Sequence, residues 1–299
     1  MTRIPATRTT PARPADVAAV FPELAALARP AVRLHPRPGE PTAHDSSVGG
    51  PLLWPARQPW PTCELWHEGP VNPLVPVAQL YARDVPGLRP PGRNDLLQVL
   101  WCPFEHPPEF KPPTQLFWRV AAEVTDVLAA PPEPYEVEYE EYLPRPCLLA
   151  PEEVTEYPNL LELDEETRRR VSDRARWEAA GVELPGEYAD HPAGFYGDAL
   201  SVAPGWKVGG WAPWGLTDPV PRFCVGCGAA MVPLLTVPSD EWSANNSGWA
   251  PEEDRHLVAR RRRGDANPTG VVVSRSNHLQ LYACPDQAVT GHPHTDLVQ

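Results

Sequence analysis

Four short blocks occur twice in this chain, in the same order. The first set reads SSVGGPLLWP, PWPTCELWH, LVPVAQL and RNDLLQVLWCPFEHP. The second reads WKVGGWAPWG, PRFCVGCG, MVPLLTV and SNHLQLYACP, with GHPH after it. Spacing is kept as well as order: Gly50 to Cys63 is 13 residues, and Gly210 to Cys224 is 14. Leu97-Gln98 precedes Cys102-Pro103 as Leu279-Gln280 precedes Cys284-Pro285, without a gap. Such a repeat means one supersecondary unit built twice. A unit of roughly 60–80 residues is marginal alone, so the two are expected to pack on a shared core and to carry a staple.

Proline sets the type of unit. It makes up 42 of the 299 residues, and an interior proline costs a helix about 3 kcal/mol. Strands between proline and glycine punctuation are therefore expected, as in PLVPVAQLYA, NDLLQVLWC, QLFWRVAAEV and AMVPLLTV. TGVVVSRSNHLQLYAC reads as a hairpin turning at Ser274–Asn277, and YEVEYEEYLP alternates in the strand manner. Helical spacing appears over 14–29, interrupted by Pro22, and best over 164–180, where Gly181 follows as a stop. The expected class is α+β and β-dominated, with two pseudo-repeated units of short antiparallel strands packed together. Residues 1–35 read as a lead-in with a short helix and 36–125 as the first unit. Residues 126–200 read as an acidic connecting segment with one helix, and 201–299 as the second unit.

Formal charge is −13, which repels phosphate backbones and favours a basic protein partner. The Arg260 to Arg263 run reads as a solvated loop rather than a phosphate contact. No apolar run reaches the roughly 18–20 residues of a membrane span. The N-terminus has basic residues but no continuous apolar stretch of the signal-peptide type. A cytoplasmic protein without membrane or nucleic-acid partners is expected. In that compartment disulfides are disfavoured, so six cysteines ask for a metal or for burial.

Cys224-Val-Gly-Cys227-Gly has the two-residue gap that lets both thiolates reach one ion, with Gly226 and Gly228 easing the turn. Cys284 ends a strand downstream, and His292 or His294 follows. Three cysteines and one histidine make a tetrahedral zinc set; small core residues or a redox pair are the other readings. In the first unit the matching positions are Cys63 with His67 and Cys102 with His106, both at the same spacing. They make a second possible zinc set, or else a core cysteine beside surface histidines. Cys147 has no partner in this scheme and reads as buried apolar filling.

Four protein ligands close a site, whereas a catalytic zinc keeps a position open for water. No HExxH helix, P-loop, GxGxxG after a strand or GxSxG is present. Glu64 and Glu105 flank the first set, and would serve a hydrolase only if a ligand there were absent. Trp54, Trp60 and Trp66 crowd the first unit's opening, and Trp206, Trp211 and Trp214 the second's. They are core anchors, or else a groove for an extended peptide, in which case Trp54, Trp60, Trp206, Trp211 and Trp214 would carry binding.

The run WKVGGWAPWGLTDPVPRFCVGCGAAMVPLLTV resembles the YwqG-like bacterial family of uncharacterised function. Gly209, Gly210, Cys224, Cys227, Gly228, Met231 and Cys284 carry the resemblance, which covers roughly 45–105 and 200–295. This chain has GGWAPW where the family often has GG-x-P-x-W followed by Gln. That family is itself similar to the programmed cell death protein 2 family of dedicated chaperones of a ribosomal protein, and it also occurs in toxin–immunity settings. The resemblance thus implies a chaperone-like or immunity role through protein binding, not chemistry. The leading expectation is a non-enzymatic protein-binding module with structural zinc. The alternative is a zinc-dependent hydrolase using an incomplete first site.

Overall fold

The computed structural model describes residues 7–67, 69–260, 264–286 and 291–299. Its strands fall into two six-stranded antiparallel sheets. In chain order they are β1 (Arg29–Arg33), β2 (Arg37–Pro38), β3 (Ser47–Val48), β4 (Val75–Tyr81), β5 (Leu96–Trp101), β6 (Thr114–Arg119), β7 (Cys147–Leu148), β8 (Glu152–Glu156), β9 (Lys207–Gly209), β10 (Val232–Pro238), β11 (His278–Ala283) and β12 (Thr295–Val298). One sheet runs β2-β7-β3-β4-β5-β6 and the other β8-β1-β9-β10-β11-β12. The fold is α+β and β-dominated, with few and short helices.

The duplication is structural, and longer than the sequence blocks. Strands β1 to β6 correspond one by one to β7 to β12, in matching register. Gln79 faces Gln98 where Thr236 faces Gln280, and Ser47 faces Gln79 where Lys207 faces Thr236. Pro76 and Pro233 occupy the same place, each beside a register shift in the ladder. A bulge is where a strand tolerates a residue without an N–H. Each half also gives its first strand to the other half's sheet. β1 lies between β8 and β9, while β7 lies between β2 and β3. Part of the lead-in and part of the acidic connecting segment therefore build the two sheets. Strands this short carry too little periodicity for sequence reading to find.

Alternation along β5 decides what each face meets. Leu97, Val99 and Trp101 enter a core shared by both sheets, with Val32, Val48, Val77, Leu235 and Leu281. Leu96 packs on Leu53 and Tyr81. Leu100 packs with Leu52, Trp54, Cys63 and Cys102. Buried on both faces, β5 is apolar at every position except Gln98 rather than alternating.

Three expectations are corrected. The helix of 164–180 is two helices, Glu165–Val171 and Arg174–Ala179. Asp173 breaks it by accepting from the Ala175 N–H, a hydrogen bond that suits a new N-cap. YEVEYEEYLP is no strand; it ends in a single 3-10 turn, Glu140–Tyr142. The turn at Ser274 is present, with left-handed backbone at Ser274, Arg275 and Ser276. Only a bridge from Val273 to Asn277 precedes β11, however, which pairs instead with β10 and β12. The 14–29 region is a helical turn, Val17–Val20, followed by a 3-10 helix, Pro22–Leu27, as Pro22 requires. Arg260 ends a short helix, Arg255–Arg260, and Arg261 to Arg263 lie outside the described residues. Among the described residues, no helix is long and apolar enough to cross a membrane.

Close approach requires glycine at Gly49, Gly50 and Gly210. Gly210 has φ of +72°, and an added Cβ would meet the Glu156 carboxylate and, at 2.7 Å, Ala31 Cβ. Gly210→Ala should cost about 2–4 kcal/mol in urea unfolding, since neither backbone nor neighbours can yield. A change below about 0.5 kcal/mol would contradict this packing.

A buried histidine, His35, and a half-buried one, His278, make stability depend on pH. Burial lowers both His35 and His278 to about 4 from the usual 6.5. The unfolded chain then takes up protons first as pH falls. The stability due to neutral histidine is complete above about 6.5 and is lost between about 6.5 and 4. Native protein should therefore lose about 2–3 kcal/mol relative to His278→Phe between about pH 7.5 and 4.5. A gap independent of pH would show that His278 does not titrate as described.

Candidate metal centres

Each unit brings four sulfur and nitrogen donors together at the same place. The two groups are Cys63, His67, Cys102 and His106, and Cys224, Cys227, Cys284 and His292. Within each, the ligand atoms lie within 4.8 Å of one another, so both groups could hold a metal ion.

The repeat explains the geometry. Cys63 opens a small hairpin in which its N–H donates to Asn72 O and the Leu74 N–H donates to Pro61 O. In the second unit the Cys224 N–H donates to Ala229 O and the Met231 N–H to Arg222 O. Cys102 and Cys284 each stand one residue beyond the end of the matching strands, β5 and β11. In the second hairpin the Cys227 and Gly228 N–H groups both point at Cys224 O, closing a tight knuckle. Gly228 has φ of +75° there. Gly226 lies against the His292 ring, where an added Cβ would be 3.0 Å from Cδ2. His106 is held by its N–H to Lys111 O.

A tetrahedral zinc with bonds of about 2.3 Å to sulfur and 2.0–2.1 Å to nitrogen has S···N edges of about 3.6 Å and S···S edges of about 3.8 Å. In the first group Cys102 Sγ is 3.5 Å from both His67 Nε2 and His106 Nε2, and Cys63 Sγ is 3.7 Å from His106 Nε2. In the second, Cys227 and Cys284 sulfurs are 3.5 Å apart, and His292 Nδ1 is 3.1 Å from Cys284 Sγ. All six cysteines are free thiols. The donors share protons unevenly. The contact with Cys102 brings Cys63 down to about 5, while the same contact pushes Cys102 far above the usual thiol range. Burial pushes Cys284 up to about 11. A metal would displace the remaining thiol protons on binding.

The two histidines left open by sequence are now separated. His292 joins the second group; His294 does not, correcting its place among the ligand candidates. Its Nε2 lies 2.8 Å from Thr114 Oγ1, which also donates to Asp296 Oδ2 at 2.7 Å. His294 therefore joins β6 to β12 across the two sheets. Cys147 is buried, and burial pushes its thiol up to about 12, as filling should.

The tryptophan candidates are corrected as well. Trp54, Trp206 and Trp211 are buried, and Trp60 and Trp214 are half-buried. Trp54, Trp60 and Trp211 donate their indole N–H to Gln58 O, Leu74 O and Leu27 O. Trp206 enters the core shared by both sheets, Trp54 and Trp60 pack in the cluster around Cys63 and Cys102, and Trp214 packs in the cluster around Cys224. The exposed one is Trp66, 81% accessible, between Cys63 and His67. Its counterpart between Cys224 and Cys227 is Val225, 86% accessible. The sequence placed Trp66 among the crowding tryptophans but outside the binding set, and Val225 in neither, although an apolar residue between two ligands is itself a signal, because its backbone is held where the core cannot take it.

No family model matches this chain, and no curated protein does.

Proposed function

We propose that the chain is a non-enzymatic protein-binding module in which both Cys/His groups hold structural zinc. Thiolate and imidazole donors in tetrahedral spacing suit zinc. The observation that carries the binding reading is the exposure of Trp66 and Val225 on the ligand-bearing hairpins. In the segment that leads to Val225, the apolar side chains of Leu216, Val220 and Phe223 are also exposed. Large apolar side chains fixed in water by a rigid loop are typical of contact surfaces. The likeness to the YwqG-like family points the same way, toward a chaperone-like or immunity role.

The hydrolase alternative is less well supported. It needs an open metal position, and each group offers four protein donors. Glu105, one candidate base, has Oε1 held by the Tyr142 and Ser274 hydroxyls at 2.5 and 2.9 Å.

The test compares native protein with the Trp66→Ala, Val225→Ser double variant as baits at matched zinc content. Native bait should retain a protein that the variant loses. Recovery of bait alone across salt conditions, or equal capture by both baits, would count against the proposal.

A further inference from the structure

We propose that the groove beside the first metal group docks an extended, arginine-rich peptide segment. This rests on the protein-binding reading above and names the chemistry of the partner.

The groove is a cavity of about 250 Å³ lined by His67, Pro70, Asn72, Phe104, Tyr135 and Glu136. One wall is thus a ligand candidate, and the other is the strip from 133 to 141. That strip is fastened in place. The Asn72 side chain donates to Glu136 O and accepts from the Tyr135 N–H. The Glu138 N–H donates to Pro103 O, and the Glu105 N–H donates to Glu138 Oε2. The strip therefore lies along the segment that leads from Cys102 to His106.

Its surface is aromatic and acidic together. Tyr135 is 70% and Tyr139 50% exposed, and Trp66 adjoins His67 at the other wall. Glu133, Glu136, Glu138, Glu140 and Glu141 are exposed between and beside the tyrosines. No Lys or Arg occurs from 120 to 144; Arg275 is the cation that acts on Tyr139. Exposed aromatic faces attract cations, and neighbouring carboxylates strengthen the attraction. Arginine fits better than lysine, because its planar guanidinium stacks on a ring while its edge pairs with a carboxylate. An extended segment places alternate side chains on one face, which lets successive arginines meet the exposed tyrosines and glutamates of 133–141. The same charge disfavours a nucleic-acid occupant.

The experiment uses full-length zinc-loaded protein and fluorescein-labelled peptides of about ten residues: alternating Arg-Ala, Lys-Ala and Glu-Ala. Saturable binding of Arg-Ala is expected, several-fold weaker binding of Lys-Ala, and none of Glu-Ala. Trp66→Ala with Tyr135→Ala and Tyr139→Ala should weaken Arg-Ala binding by about tenfold. Glu133→Gln with Glu136→Gln and Glu140→Gln should weaken it about fivefold and flatten its salt dependence. All six side chains are exposed apart from their backbone contacts, and zinc content and thermal midpoint check that each variant is folded. No Arg-Ala binding, equal binding of Lys-Ala, or unchanged affinity in both variants would overturn the proposal. If Arg-Ala fails while the Trp66/Val225-dependent capture persists, the occupant is wrong and the protein-binding reading stands. If both fail, both fall.

Discussion

Cys284→Ser should lower bound zinc from about two to about one per chain and reduce the thermal midpoint by about 10 °C. The size follows from position. Cys284 joins the end of a central strand to the Cys224–Cys227 knuckle and to His292. Few apolar contacts fix that corner otherwise: its cluster holds Ala212, Cys224, Met231 and Tyr282, with Trp214 and Leu297 at the margin. Losing a ligand removes metal binding that is coupled to folding, so several kcal/mol are at stake. Cys102→Ser should likewise remove one zinc, with a smaller drop in midpoint, because Trp54, Leu74 and Leu100 back that corner. Cys147→Ala should leave both ions in place. Metal analysis with calorimetry on the three variants decides the matter. Unchanged zinc in Cys284→Ser would contradict the assignment of that group.

The second large effect belongs to an ion pair that sequence reading did not find. Lys207 and Glu156 side chains are both 0% exposed, with Nζ 2.6 Å from Oε1. Lys207 also donates to Trp211 O, and Glu156 accepts from the Ala203 and Trp211 N–H groups. The pair thereby ties the edge strand β8 to β9 and to the turn after Gly210. Burying two charges is costly, so the pair as a whole need not stabilise; breaking it leaves one charge alone. Lys207→Met should cost about 3–5 kcal/mol. Glu156→Leu should cost more, because it orphans two buried N–H groups as well as the ammonium. The double variant should cost less than the sum of the singles by about 2 kcal/mol. Strict additivity in urea unfolding would show that the two side chains do not act as a pair.

What the sequence made legible was what repeats. Blocks around Gly50 and Gly210, and the Leu-Gln-x-x-x-Cys-Pro strands, located β3 to β5, β9 to β11 and the donors of both metal groups. What stayed hidden depends on pairings far apart in sequence. β1 and β7 are exchanged between halves, yet RPAVR and the two-residue Cys147–Leu148 carry no period that names a sheet. His292 and His294 are chemically alike two residues apart, and only the strand direction of β12 turns one toward Thr114. The tryptophans were ambiguous for a similar reason. A Pro-flanked Trp suits a groove or a core, and the segment after each glycine pair folds back over its sheet, which buries Trp54 and Trp211. Tyr135 and Tyr139 sit among glutamates at strand-like spacing, but the segment joins neither sheet, so both residue types face water.

Zinc K-edge X-ray absorption on native protein of measured metal content reads the donors of the two Cys/His groups directly. Two closed sites give about two zinc per chain, four-coordinate, with an average shell of about 2.5 sulfur and 1.5 nitrogen donors from the two groups. Less than about half a zinc per chain in protein purified without chelators, or a shell of oxygen and nitrogen without sulfur, would contradict this assignment.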